Sequence, residues 1–568
     1  MSLLSRTLRS SLRPALTALT ATLVLAPSLG SANDFCPDVW HTGKFGPLNQ
    51  RPAFLGIEDL KMGTFGEIPT LVFSSFFNSI KNPDGNGVVG YFERDHIGLI
   101  RGINYRYPAW FDKDRDVEMI TDLGKADFLP GSPSGPDRQI WPNDVQKVPN
   151  GVLPFEALTS PQGFHPAAEP GRLSIINLDD PNYQEYIVDQ SLQAGGPCVL
   201  QSNPTFNPNN KPHFYHNVVW YDMNGDGLDD LVTVRSGFRV SGVFCVPASG
   251  ETVYFINPGA AIDPNTEWTE VVIAGFPNNE FSGDITVAMA DLEGDGVPEL
   301  VTNRFFGPTP FFSGENIQLI GAQPGETWAL MDAVTNPPRE AVISTDSSQG
   351  RPFGVKFIDL NLDGKLEVLA TNHQSDGCFP QTQDLIPGRV YALQQPASGD
   401  IFNDPWTVRI LKDNIRPNPT FPTPSSGPGR LAPGKAQGFW PSAFAEATER
   451  PWVLVGGDEA SKVWLLKPQS QNPNDWNYDS TTIFDINDYY GPNATQTLNA
   501  PPPDIGNSIS TIGSPVWHYD RDWAWNSYAE IYIPVFEGRD IHRITFRPGT
   551  AAQKVVCPAD VQIACPAP

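Results

Sequence analysis

Three copies of one short acidic pattern recur along this chain, and their spacing constrains the fold more than any other feature. The copies are Val219-Trp-Tyr-Asp222-Met-Asn224-Gly-Asp226-Gly-Leu-Asp229-Asp230-Leu-Val, Met289-Ala-Asp291-Leu-Glu293-Gly-Asp295-Gly-Val-Pro-Glu299-Leu-Val and Phe357-Ile-Asp359-Leu-Asn361-Leu-Asp363-Gly-Lys-Leu-Glu367-Val-Leu. Their first aspartates recur about every 70 residues, a period that marks a repeat architecture rather than a string of unrelated domains. Between them lie short apolar or alternating runs bounded by Pro, Gly and Asn, such as Thr252 to Ile256, Glu270 to Ala274 and Val390 to Leu393. That is the pattern of strands and turns. Worn copies extend the period. Asp520 and Asp522 precede Tyr528-Ala-Glu530, Asp59 and Glu67 keep the outer spacing, a window from Phe444 to Val455 keeps the strand, and one more unit fits between 112 and 190. Seven units then cover about 45 to 550. A small sheet cannot bury both of its faces alone, so neighbours must stack. Four-stranded units at this period close into a single all-β, seven-bladed β-propeller.

The repeated pattern reads D-x-[DNE]-x-D-G-x-x-[DE]. Positions 1, 3 and 5 offer side-chain oxygens, position 7 a carbonyl and position 9 a closing carboxylate, while Gly at position 6 lets the backbone reverse. Hard oxygen donors in a flexible loop select Ca²⁺ over transition metals. The predicted ligands are Asp222, Asn224, Asp226, the Leu228 carbonyl and Asp230; then Asp291, Glu293, Asp295, the Val297 carbonyl and Glu299; then Asp359, Asn361, Asp363, the Lys365 carbonyl and Glu367. An EF-hand needs Glu at position 12, where this chain has Thr233, Thr302 and Ala370, and the flanks are strand-like. Ordinary Asp/Asn/Gly turns without metal are the simpler alternative, but three copies in one register favour calcium. The segment from 213 to 370 resembles the FG-GAP/VCBS repeats of α-integrin-like propellers. That resemblance implies calcium loops between the first and second strands of several blades, with calcium in a structural role.

Composition agrees with a large β-rich fold. Of 568 residues 57 are Pro, which disfavours long helices, and 40% are hydrophobic, enough for a substantial core. A net charge of −26 repels phosphate backbones and anionic lipid, so nucleic acid and membrane surfaces are excluded as partners. Residues 1–32 carry Arg6, Arg9 and Arg13, no acid, an apolar run from Ala15 to Leu29 and small residues at Gly30-Ser31-Ala32, which reads as a secretory signal and not as a membrane span. Residues 33–550 are then the propeller, and 551–568 a tail holding Cys557 and Cys565. The six cysteines all lie beyond the signal, so disulfides in an extracellular or periplasmic protein are expected, and no CxxC pair points to zinc.

Residues that follow the second strands emerge at the end of the ring opposite the metal loops. Arg235, Phe238, Arg304, Phe305 and His373 stand there in the repeat alignment, and His216 enters from the preceding connection. Such side chains suit a sugar or a peptide loop, although capping of blade edges is the blander explanation. His213, His216, His373 and His518 would cluster only if their blades converge. No nucleophile elbow, zincin or P-loop motif occurs. The expected function is a monomeric, secreted, calcium-binding adhesion or binding module for a glycan or an extracellular protein. The alternative is a carbohydrate-active enzyme of lyase or dehydratase type, with His and Arg at the channel mouth.

Overall fold

The computed structural model describes residues 39–48, 50–62, 66–75, 95–105, 108–121, 142–163, 172–190, 213–241, 244–275, 282–305, 316–344, 350–375, 387–397, 399–418, 431–446, 448–491, 511–520 and 528–546. The signal segment, the tail, Cys36, Cys198, Cys378, Cys557 and Cys565 lie outside these residues, as does the side chain of Cys245. No helix among the described residues is long and apolar enough to cross a membrane.

Seven antiparallel four-stranded sheets form the ring expected of a seven-bladed propeller. In chain order, blade 1 runs from the strand Pro52–Lys61 to Glu118–Met119, blade 2 from Gln146–Lys147 to Glu185–Gln190, and blade 3 from His213–Tyr221 to Thr269–Gly275. Blade 4 runs from Val287–Ala290 to Arg339–Val342, blade 5 from Pro352–Ile358 to Thr407–Ile415, and blade 6 from Ala436–Phe439 to Tyr478–Asp485. The first-named strand of each is innermost. Blade 7 takes three strands, Val516–Tyr519, Ala529–Val535 and Asp540–Phe546, from the chain's end and its outermost strand, Val39–Phe45, from the beginning. That last pairing, Val39 opposite Phe546 through Phe45 opposite Ile541, closes the ring.

The strand sequences explain the stacking. Side chains alternate along a strand, so a sheet buried on both faces shows a continuous apolar run. In blade 3, Leu231 packs toward blade 2 with Val218, Val253 and Ile175, while Val232 and Val234 pack toward blade 4 with Leu300 and Ile320. Blade 6 repeats this: Val453 and Val455 face blade 5, and Trp452 and Leu454 face blade 7. Every seam between adjacent blades holds one such cluster, including the closing seam, where Phe45, Tyr532 and Ile541 meet Leu71, Phe73 and Ile100. Each buried Leu, Ile or Val in a seam contributes about 1.5–3 kcal/mol, so the core is distributed around the ring.

Candidate functional site

The up-and-down topology gives the ring two ends of different chemistry. Loops joining first to second strands share one end, and all three acidic patterns lie there. Asp222 Oδ1 accepts the amides of Gly225 (2.8 Å) and Asp226 (3.1 Å), and its Oδ2 accepts that of Gly227 (2.8 Å). Asp291 holds Gly294, Asp295 and Gly296 in the same way, and Asp359 holds Asp363 and Gly364. Position 6 is left-handed in all three, with Gly227 at φ 89°, Gly296 at 86° and Gly364 at 86°. Leu362 adopts φ 59° where the other loops have Gly225 and Gly294, a conformation that disfavours a branched side chain.

Position 9 is an anchor in every copy. Asp230 accepts from the amides of Met223 (3.1 Å), Asn224 (3.2 Å) and, from the far side, Asn257 (2.8 Å). Glu299 accepts from Leu292 and Glu367 from Leu360, each at 2.8 Å. Burial, then the neighbouring loop carboxylates, push Asp230 up to about 6, Glu299 to about 7 and Glu367 to about 8. Among the described residues no group of three or more His, Cys, Asp or Glu side chains converges closely enough to hold a metal ion. The oxygen donors at positions 1, 3 and 5 are nonetheless the hard ligands calcium takes, and Asn224 and Asn361 add amide oxygens to the carboxylates.

The worn copy in blade 1 solves the same electrostatic problem differently. Lys147 Nζ lies 2.5 Å from the Asp59 carbonyl, 2.9 Å from Glu67 Oε1 and 3.3 Å from Glu156 Oε1. An ammonium thus sits among oxygens where the sequence lacks the middle ligands. His518 borders this cleft with Glu58, whose carboxyl burial raises to about 6. His518 therefore belongs to the acidic-loop end and does not join the other histidines.

At the opposite end the predicted residues divide. Arg235 is buried inside blade 3, its Nε 2.8 Å from Glu251 Oε2 and its two Nη atoms 2.6 and 2.7 Å from the Glu270 carboxylate. It ties three strands of one blade together and offers nothing to a ligand. The side chain of Phe238 lies outside the described residues. Arg304 ends the second strand of blade 4, half-buried. Phe305, Phe353 and His373 form an aromatic patch, with Phe353 and His373 stacked at 4.4 Å between centroids and Phe305 5.8 Å from Phe353. His216 lies buried beside Phe214, at 5.6 Å, and His213 Nδ1 stands 4.0 Å from Asp189.

The sequence reading missed Lys435 and Asp144, which lie between these aromatics. Lys435, just before the innermost strand of blade 6, forms an ion pair with Asp144, just before that of blade 2, so the contact spans the ring. Its ammonium also lies 4.9 Å from the centroid of Phe54 in blade 1. The Asp144 amide donates to the His216 carbonyl at 3.0 Å. Burial, then Lys435, holds His216 well below the ordinary histidine range. His373 Nδ1 bonds the Pro433 carbonyl at 2.9 Å, and its Nε2 stands 3.6 Å from Asp458 Oδ2. Burial lowers His373 to about 4, whereas burial and then Glu459 and Glu537 raise the Asp458 carboxyl well above the carboxylate range. Asp458 sits at φ 51°, a left-handed backbone of the kind that collects at functional positions. The imidazole and the carboxyl thus stand side by side, residue types that serve acid–base chemistry. Lys435 and Asp458 belong to blade 6, Asp144 to blade 2 and His373 to blade 5, and no local motif joins them.

No protein-family model matches the chain, and no curated protein matches it. Among solved structures, the chain is similar to the α-L-arabinanase of Cellvibrio cellulosa complexed with arabinohexaose, at 13% identity over 60% of this chain and 96% of that one, with a TM-score of 0.28. It is also similar to the β-fructofuranosidase of Schwanniomyces occidentalis complexed with fructosyl-erythritol, at 10% identity over 89% and 96% of the two chains (TM-score 0.26). The endo-1,5-α-L-arabinanase of Thermotoga petrophila RKU-1 matches at 8% identity over 88% and 99% (TM-score 0.24). Likeness at this level leaves the chemistry of the channel to the residues themselves.

Proposed function

We propose that this chain is a secreted propeller of FG-GAP/VCBS type that binds a glycan at the channel mouth, with calcium in the loops at the other end. The observation that supports binding at the mouth is the convergence of Phe54, Asp144, His216, Lys435 and the Phe353–His373 stack from separate blades onto one end of the channel. Polar groups set among aromatic faces are what a sugar site needs. Calcium would be held by Asp222, Asn224, Asp226, the Leu228 carbonyl and Asp230, and by the matching residues of the other two loops. Its role is to neutralise the carboxylates clustered in each loop.

A glycan array probed with the calcium-loaded protein tests the binding reading, which expects retention of a defined set of glycans. Absence of any retained glycan defeats it. Calorimetric titration with calcium tests the loops separately. Uptake is expected, with a melting temperature that rises with calcium and falls in chelator, since saturation at a hundredfold above Kd adds about 2.7 kcal/mol per site. Asp295→Asn and Asp363→Asn should each reduce the number of ions taken up, and an unchanged melting temperature in chelator removes calcium from the account.

Turnover is a second reading, favoured by the Asp458–His373 pair. A polysaccharide-degradation screen of the wild type and Asp458→Asn separates it from binding alone: bond cleavage lost in the variant supports chemistry.

A further inference from the structure

Lys356 stands on the innermost strand of blade 5, and its side chain is solvent-accessible although the strand lies in the middle of the ring. The groups that bear on its ammonium are Asp144 of blade 2 and Lys435 of blade 6. A side chain that feels both from blade 5 must extend into the channel, and the solvent it meets is the solvent of the channel. Lys435 runs past the same surface: a Cβ on Gly354 would stand 3.3 Å from Lys435 Cγ. Gly354 and Lys356 share one side of their strand because side chains alternate.

The two lysines differ in partnership. Lys435 has Asp144 as its counter-ion. Lys356 makes no hydrogen bond or ion pair among the described residues. Among the described residues that bear on Lys356, two ammonium groups therefore share one carboxylate, leaving one positive charge over. His216 adds none, being held neutral. This occurs in a chain with 64 acidic and 38 basic residues, whose outer surface repels anions. An excess cation in a channel walled by protein concentrates anions there. Desolvation by the channel walls, partly offset by Asp144 and reinforced by Lys435, lowers the Lys356 pKa.

We propose that Lys356, with the Lys435–Asp144 pair beside it, forms an anion subsite in the channel that takes the carboxylate of a uronic acid residue. The inference rests on the glycan reading above and names the ligand class. A carboxylate matches the single charge left over, whereas a dianion such as phosphate would exceed it. Phe54, beside Lys435, provides an apolar surface for a sugar ring next to the carboxylate pocket.

The test is calorimetric titration of the calcium-loaded full chain with oligomers of galacturonic and glucuronic acid and with neutral galactose and glucose oligomers of matched length. Acidic oligomers are expected to bind about tenfold or more tightly than neutral ones, the worth of one charged hydrogen bond. Lys356→Met should bring acidic oligomers to the level of neutral ones without changing the melting temperature, and Lys356→Arg should restore most of the preference. Equal binding of acidic and neutral oligomers, or an unaffected Lys356→Met, overturns the subsite and leaves the glycan reading standing. Failure of every oligomer to bind overturns both. Acetate competing as strongly as the uronate oligomers, mole for mole, shows a free-anion site and overturns the sugar-acid assignment.

Discussion

Arg235→Ala will be among the most damaging single substitutions in the chain, lowering stability by about 3–5 kcal/mol, because it leaves buried carboxylates without their counter-ion. The guanidinium forms a fork with Glu270 and a third bond with Glu251, and Asp189 Oδ2 lies 4.0 Å away, itself accepting from the Tyr215 hydroxyl. The three carboxylates do not weigh equally. The Glu270 side chain is 36% accessible, and that of Glu251 only 2%. Water replaces much of what Glu270 loses, so most of the cost falls on Glu251 and Asp189. Arg235→Lys keeps the charge but not the planar fork and should fall between the two. Arg235→Met combined with Glu251→Gln should recover part of the loss, since the buried charge leaves with its partner. Denaturant unfolding of the four proteins checks the order. Equal stability of wild type and Arg235→Ala would mean that the cluster is neutralised by protons rather than by arginine.

The same residue shows where sequence stops being legible. The repeat put Arg235 just after the second strand, where an Arg looks like a ligand-binding residue, but the strand runs on from Asp230 to Ser241 and holds Arg235 in its middle, paired with Tyr215 and Glu251. Its use inside the blade depends on Glu251 and Glu270 in the next two strands, and spacing alone does not reveal those partners. The acidic turns were readable because first aspartate, glycine and closing acid lie within nine consecutive residues. Paired second strands were readable because both faces pack, as in Leu231 to Val234. Blade 2 was nearly invisible because Val148 replaces the first aspartate and only Glu156 survives as an anchor to the Lys61 amide at 3.1 Å. The channel residues were invisible because Phe54, Asp144, Lys356 and Lys435 each come from a different blade. Only closure of the ring brings them together.

Ring closure itself should fail in acid, and the reason lies in a relay of neutral groups across the closing strands. His41 Nε2 is 2.9 Å from His542 Nδ1, and His542 Nε2 is 2.9 Å from the Tyr490 hydroxyl. Tyr490 donates to Asp540 Oδ2 at 2.6 Å, and Lys44 Nζ holds the same oxygen at 2.7 Å. Because the tyrosine proton is committed to Asp540, its oxygen accepts from His542 Nε2–H. His542 Nδ1 is then the acceptor for His41 Nε2–H. Tyr489 packs against both imidazoles, at 4.4 Å from His41 and 5.1 Å from His542. Protonating His542 at Nδ1 would set two donors face to face beside Lys44. Burial and then Lys44 accordingly lower His41 to about 4, and burial, then His41 and Lys44, lower His542 to about 2. A histidine depressed in the folded state contributes stability fully present above the unfolded value of 6.5 and lost as pH falls toward the folded value. Between pH 6.5 and 4, one proton excluded from this coupled pair corresponds to about 3 kcal/mol, counted once for both rings. Replacing both histidines with Phe removes the titration while keeping the aromatic packing. Denaturant unfolding at pH 7 and pH 4 should therefore show a smaller acid loss in the double variant than in the wild type. Amide exchange at pH 4 should quicken first along 39–45 and 540–546, where the two ends of the chain meet. An acid loss of the same size in both proteins would place the acid-sensitive element elsewhere, while protection along the closing strands that persists at pH 4 would show that the relay does not gate the ring.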